Sequence, residues 1–148
     1  MRKAPLAHAA IAALVPHAGS MCLLDRALHW DENDIVCMAV SHRDTANPLR
    51  RDGVLPAICG VEYALQAMAL HGALTGTDGP QPPGYLASLR GIELGVSRLD
   101  DIKDDLRIEA SALTREARSF IYAFRALAGS RALFAGQAAI ILPQDGAA

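Results

Sequence analysis

A helix with almost no polar side has to be surrounded by the rest of its chain, and residues 56–76 describe one. Pro56 suits the first turn of a helix, where its missing N–H removes nothing. Beyond it Val61, Leu65, Met68 and Ala69 recur at helical spacing, and Gly72 and Gly76 mark possible ends. Most sides of this helix are apolar, which predicts burial rather than a place on a surface. The remainder of the chain must therefore supply a layer that wraps it.

The flanks read as that layer. Residues 23–30 and 35–41 have the texture of two strands, and Asp31-Glu32-Asn33-Asp34 between them carries turn chemistry. A loop follows from about 42 to 55, marked by Asn47-Pro48 and Asp52-Gly53. After a second loop at 77–83 the period changes to two. Residues 85–96 predict a strand bent at Gly91. Leu106, Ile108, Ala110 and Ala112 share one face, as do Phe120, Tyr122, Phe124 and Ala126. Ala132, Phe134, Gly136, Ala138, Ile140 and Leu142 make the last apolar face, with turns at 115–118 and 128–130. Two strands, one long helix and a four-stranded antiparallel meander predict an α+β fold in which a sheet curls round a helix. Leu6, Ala10, Ile11 and Leu14 share a helical face, so a short docking helix is expected at about 6–15. Without repeats or linkers, residues 1–148 read as one domain.

Composition removes several classes of function. Hydrophobic residues are 51% and charged residues 20%, which predicts a folded domain rather than disorder. A net charge of −2 gives no support for nucleic-acid binding. Cys22, Cys37 and Cys59 are odd in number and too dispersed for a zinc knuckle or redox pair, so a reducing, cytoplasmic setting is expected. Arg2 and Lys3 precede an Ala-rich run, but His8 breaks it and it meets Pro16-His17 without a small-residue cleavage site. No apolar run approaches the roughly 18–20 residues that span a bilayer, so no membrane association is expected. Nothing resembles a phosphate-binding glycine loop, a metal cluster or a covalent nucleophile, and neither metal nor cofactor is expected.

Two residues carry candidate chemistry. Glu62 is the only acidic residue between 57 and 73. A carboxyl on an apolar helix is costly unless paired or neutral, and burial favours the protonated form that a general acid needs. Gln66, one turn on, is placed to orient it through its amide. His42 follows a predicted strand, where a neutral imidazole can serve as a base. Such a base and acid, with a backbone N–H near Ala57 to hold charge on a carbonyl oxygen, suit elimination of water from a 3-hydroxyacyl thioester. The blander readings are a surface loop histidine and a structural glutamate at a subunit contact. His71 lies nine positions after Glu62, close to half a rotation away, and should not share its site. Arg50 and Arg51 are candidate substrate contacts, as is Tyr85, although solvated loop charge is an equal reading for the arginines.

The residues then show a resemblance. Val54-Leu55-Pro56-Ala57-Ile58-Cys59-Gly60-Val61-Glu62-Tyr63-Ala64-Leu65-Gln66 is similar to the Val-Met-Pro-Gly-x-x-x-x-Glu/Asp-Ala-x-x-Gln helix start of the FabA/FabZ-type (3R)-hydroxyacyl-[acyl-carrier-protein] dehydratases. Val15-Pro16-His17 and Leu23-Leu24-Asp25-Arg26 resemble that family's opening strand. Ser41-His42-Arg43-Asp44 and Asn47-Pro48-Leu49-Arg50 look most like members associated with aryl-polyene or polyketide-like pathways. The resemblance implies a hotdog fold, with His42 and Glu62 meeting from opposite subunits of a dimer. It implies a substrate carried on the phosphopantetheine of an acyl-carrier protein, with no other cofactor. Homodimer, higher oligomer and heterodimer with another hotdog chain all remain open. Two alternatives also stand: a hotdog thioesterase, and a weakly active subunit completing a partner dehydratase.

Three of the chain's departures from the family pattern carry the most weight. His42 lies twenty positions before Glu62, six more than in the family. Ala57 replaces the glycine of the Pro-Gly helix start, and the family's later Pro-Gly-Asp turn is replaced by Arg98-Leu99-Asp100-Asp101-Ile102-Lys103-Asp104.

Overall fold

The computed structural model describes residues 5–15, 21–76 and 85–142. Among them seven strands form one sheet: β1 (Leu6–Ala7), β2 (Arg26–Trp30), β3 (Asp34–Ala39), β4 (Tyr85–Leu94), β5 (Leu106–Arg115), β6 (Ser119–Ala128) and β7 (Arg131–Ile141). Every pairing is antiparallel, in the order β1-β2-β3-β5-β6-β7-β4. The chain leaves β3, runs through α2 (Val61–Thr75), and re-enters the sheet at its opposite edge as β4. The helix therefore lies along the sheet's inner face, packed against β3, β5 and β6.

The predicted wrapping follows from burial. Tyr63, Ala64, Gln66, Ala67, Leu70 and His71 are wholly enclosed. The helix begins one turn later than the sequence suggests. Pro56 is extended, Ala57–Gly60 form a 3-10 turn, and α-helical bonding starts at Val61. Gly60 lets this turn lie against the Phe134 ring, which a Cβ there would overlap. Gly76 ends the helix, with its N–H on the Gly72 carbonyl at 2.8 Å.

The strand faces match the alternation except where the sheet slips register. Leu106, Ile108 and Ala110 face inward, as do Tyr122, Phe124 and Ala126. In β7, Leu133 and Phe134 are both buried and Ala132 is exposed, because the β6–β7 register shifts between Ala126 and Leu127. A bulge makes two successive side chains share a face, which a period of two cannot anticipate. Gly91 has φ of 60°, and the β4–β7 register shifts between Arg90 and Glu93, so β4 bends where expected.

The first strand of the sequence reading is shorter than expected, starting at Arg26. Leu23 and Leu24 are both buried, and consecutive residues of a regular strand cannot both face one core. The expected helix at 6–15 is corrected as well. Leu6 and Ala7 pair with Ala27 and Arg26, and α1 covers only His8–Ala12, although Ile11 docks in the core as predicted. Asp52 and Gly53 both have positive φ, and Arg51 and Val54 exchange backbone bonds across them at 2.8 and 3.0 Å. This is the tight turn that an Asp-Gly pair favours.

Candidate active site

His42 sits in a 3-10 turn, Ser41–Arg43, just beyond β3. Its ring points inward and has no exposed surface. Nε2 lies 3.0 Å from the carbonyls of both Ile102 and Asp104. A carbonyl only accepts, so Nε2 carries the proton and Nδ1 keeps the lone pair. Nδ1 is buried without a partner. Burial pushes the imidazole pKa down, against the pull of the two carbonyls, and keeps the ring neutral. His71 provides the contrast. It too is fully enclosed and burial lowers its pKa, yet its Nδ1 accepts from Tyr122 Oη at 2.7 Å and its Nε2–H reaches the Asp31 carbonyl at 2.9 Å. His71 is a satisfied core histidine; His42 is half satisfied.

The turn carrying His42 is gripped from several sides. Asn47 Nδ2 donates to the Ser41 carbonyl at 2.9 Å, and Arg50 donates to the His42 carbonyl at 3.2 Å and the Gly53 carbonyl at 3.0 Å. Arg50 thus braces the loop rather than standing free for substrate. Arg51 is exposed. Arg43 bonds the Lys103 carbonyl and pairs with Asp105 at 3.0 Å, while Arg26 pairs with Asp105 at 3.3 Å. These contacts hold the 102–105 segment over the imidazole. The Tyr63 and Ser41 hydroxyls leave no periodic signal in the sequence, and Asn47 there reads only as a loop marker.

Glu62 occupies the least covered face of the helix start. Ile58, Glu62, Leu65 and Ala69 fall at spacings of four, three and four, and form an incompletely buried stripe on which Ile58 is 47% exposed. Glu62 makes no hydrogen bond or ion pair among the described residues, and none links it to His42 within the chain. The single chain gives it less enclosure than an apolar helix suggested.

Gln66 and Ala57 are engaged elsewhere than expected. The fully buried Gln66 accepts the Leu23 N–H at 2.8 Å and donates to the Met21 carbonyl at 2.5 Å. It fastens the incoming segment to α2, and no bond joins it to Glu62. The Ala57 N–H, the expected oxyanion donor, is taken by the Ser97 carbonyl at 3.0 Å. Among the described residues the neighbouring Ile58 N–H has no acceptor, so it is the donor left free at the helix start. A cleft of ≈ 190 Å³, lined by Val96, Ser97, Arg98, Asp101, Ile102 and Arg131, opens beside the carbonyls that hold Ala57 and His42. Tyr85 opens β4 at the sheet edge. His17 and the 77–83 loop lie outside the described residues.

Among the described residues no cluster of histidine, cysteine and carboxylate side chains could hold a metal ion. No helix among them is long and apolar enough to cross a membrane.

Solved structures share this architecture. The dehydratase heterocomplex ApeI:P from Xenorhabdus doucetiae superposes with a TM-score of 0.80 at 20% identity, over 98% of this chain and 95% of that one. The Helicobacter felis homologue of HP0420 gives 0.64 at 14% identity, over 97% and 91%. A thioesterase from Haemophilus influenzae gives 0.58 at 12% identity, over 80% and 78%. A search of curated protein sequences finds no match. The sheet, its central helix and these neighbours define a hotdog-fold protein. A family model described as ApeP-like, the ApeP dehydratases, matches residues 9–148. The chain belongs to that family, and it is a dehydratase of the hydro-lyase class.

Proposed function

We propose that this dehydratase removes water from a 3-hydroxyacyl thioester carried on the phosphopantetheine of an acyl-carrier protein, in an aryl-polyene or related polyketide pathway. One observation carries the reading: the buried, neutral imidazole of His42 has a proton fixed on Nε2 and an unpartnered lone pair on Nδ1. An unsatisfied buried nitrogen costs stability, and the equally enclosed His71, by contrast, has both ring nitrogens bonded. Nδ1 takes the C2 proton, and the Glu62 carboxyl protonates the C3 hydroxyl as it leaves as water. Charge gathering on the thioester oxygen is met by the Ile58 N–H.

Assembly belongs to the same proposal. Leu86, Leu89 and Leu94 are exposed along the edge strand β4, and exposed edges invite pairing. A second hotdog chain joined there, a copy or a different chain, would cover this edge and bring His42 of one chain toward Glu62 of the other.

The test measures enoyl thioester formation and thiol release separately, with a 3-hydroxyacyl-carrier protein. His42→Ala and Glu62→Gln should each lower dehydration roughly a hundredfold or more. Refolding the two inactive variants together should restore about a quarter of the wild-type sites in a two-fold dimer. Near-normal turnover in both variants overturns the chemistry, and thiol release without enoyl product favours a thioesterase. The sealed Nδ1 and the occupied Ala57 N–H support a second reading, a subunit that turns over only beside a different hotdog chain. Native mass spectrometry and turnover of the chain alone and with such a partner separate the two.

A further inference from the structure

Two departures from the motif that this chain resembles meet in its interior. The loop after His42 is six residues longer and contains Asn47; the residue after the acid is Tyr63, where the motif has alanine. Asn47 Nδ2 and Tyr63 Oη lie 3.1 Å apart. Both side chains are buried, Tyr63 completely.

The bond directions can be followed atom by atom. Ser41 Oγ gives its proton to the Leu23 carbonyl at 2.8 Å. The 2.8 Å contact between Ser41 Oγ and Tyr63 Oη must then use the phenol proton. Tyr63 Oη in turn accepts from Asn47 Nδ2, which also donates to the Ser41 carbonyl, while Asn47 Oδ1 accepts the Leu49 N–H at 2.8 Å. Leu23 closes the frame, because its N–H is held by Gln66 one turn along α2. Burial pushes the Tyr63 pKa up, so the phenol stays a donor. The Asn47–Tyr63 and Leu23–Gln66 bonds are buried and the others partly so, and in such a setting a network is stiff and a missing member is costly.

We propose that Tyr63 is a positioning residue for His42: through Ser41 and Asn47 it fastens the turn carrying the base to the helix carrying the acid. This rests on the reading of His42 as the base. Tyr63 touches no reacting atom. Its hydroxyl fixes the backbone of the residue preceding His42, and with it the direction of the imidazole. A displacement of about an ångström at a reacting group can cost roughly a hundredfold in rate.

Tyr63→Phe removes the hydroxyl and keeps the ring. Tyr122→Phe is the control, since it deletes an equally buried hydroxyl bonded to His71, away from the helix start. Both variants should lose stability. Only Tyr63→Phe should lower kcat, by about ten- to a hundredfold with KM changed less than about twofold. In ¹⁵N-labelled protein, the His42 Nε2–H should exchange with solvent faster in Tyr63→Phe than in Tyr122→Phe. Ser41→Ala is the second variant and should give the same kcat loss and faster exchange. Combined with Tyr63→Phe it should add little, because both break one chain of bonds. Unchanged kcat and exchange in Tyr63→Phe, with His42→Ala inactive, overturns the positioning role and leaves the proposed chemistry standing. Normal turnover in His42→Ala overturns the chemistry instead, and the exchange rate then decides alone whether Tyr63 holds the ring.

Discussion

Replacing Gln66 with leucine separates two roles for one side chain. In this structure the amide oxygen holds the Leu23 N–H and the amide nitrogen holds the Met21 carbonyl, both inside or beside the core. Leucine keeps much of the volume and removes both partners. The Leu23 N–H, in a residue with almost no exposure, is left unsatisfied, at about 1–3 kcal/mol. The Met21 carbonyl is only partly covered and recovers some water, so its loss is about 1 kcal/mol. Extra apolar burial offsets about 1 kcal/mol. The net destabilisation is about 2 kcal/mol, which in a domain of this size lowers Tm by about 4–8 °C. Thermal unfolding followed by circular dichroism, with denaturant titration at 25 °C, measures it. Because no bond joins Gln66 to Glu62, the stability losses of Gln66→Leu and Glu62→Gln should add to within about 0.5 kcal/mol in the double variant. An unchanged Tm together with collapsed turnover, or strong non-additivity with Glu62→Gln, would return Gln66 to the carboxyl and refute the reasoning.

Two further outcomes follow from the same packing. Burial depresses the pKa of both His42 and His71, so the unfolded chain binds more protons than the folded one below the ordinary histidine value of about 6.5. Their contribution is complete above that pH and is lost as pH falls toward their folded values, by up to about 1.4 kcal/mol per pH unit for each ring. Denaturant titrations from pH 7 to 5 should show this decline, and a flat profile would mean that the rings are not buried neutral. Gly60→Ala drives a methyl into the Phe134 ring and should cost about 1–3 kcal/mol. Adding Phe134→Leu to it should cost less than Phe134→Leu does in the wild-type chain; equal costs would mean that the helix start does not bear on that ring.

By itself the sequence determined what repeats locally. A helix apolar on most sides required a wrapping sheet, and the period of two from Leu106 to Ile140 supplied its strands. Asp52-Gly53 marked a turn, Gly91 a bend, and Glu62 a lone carboxyl at the helix start. Each of these depends on backbone preferences and side-chain spacing within a few residues, which the order of residues fixes directly. Only the tertiary structure decided who answers whom across the chain. The register slip that buries Leu133 beside Phe134, the Ser97 carbonyl on Ala57 and the backbone partners of Gln66 all depend on how distant segments close. The same is true of the inward turn of His42, whose Nε2 finds carbonyls sixty and sixty-two positions away. Such partners are chosen by the three-dimensional need to satisfy buried polar groups, and spacing along the chain holds no record of that need.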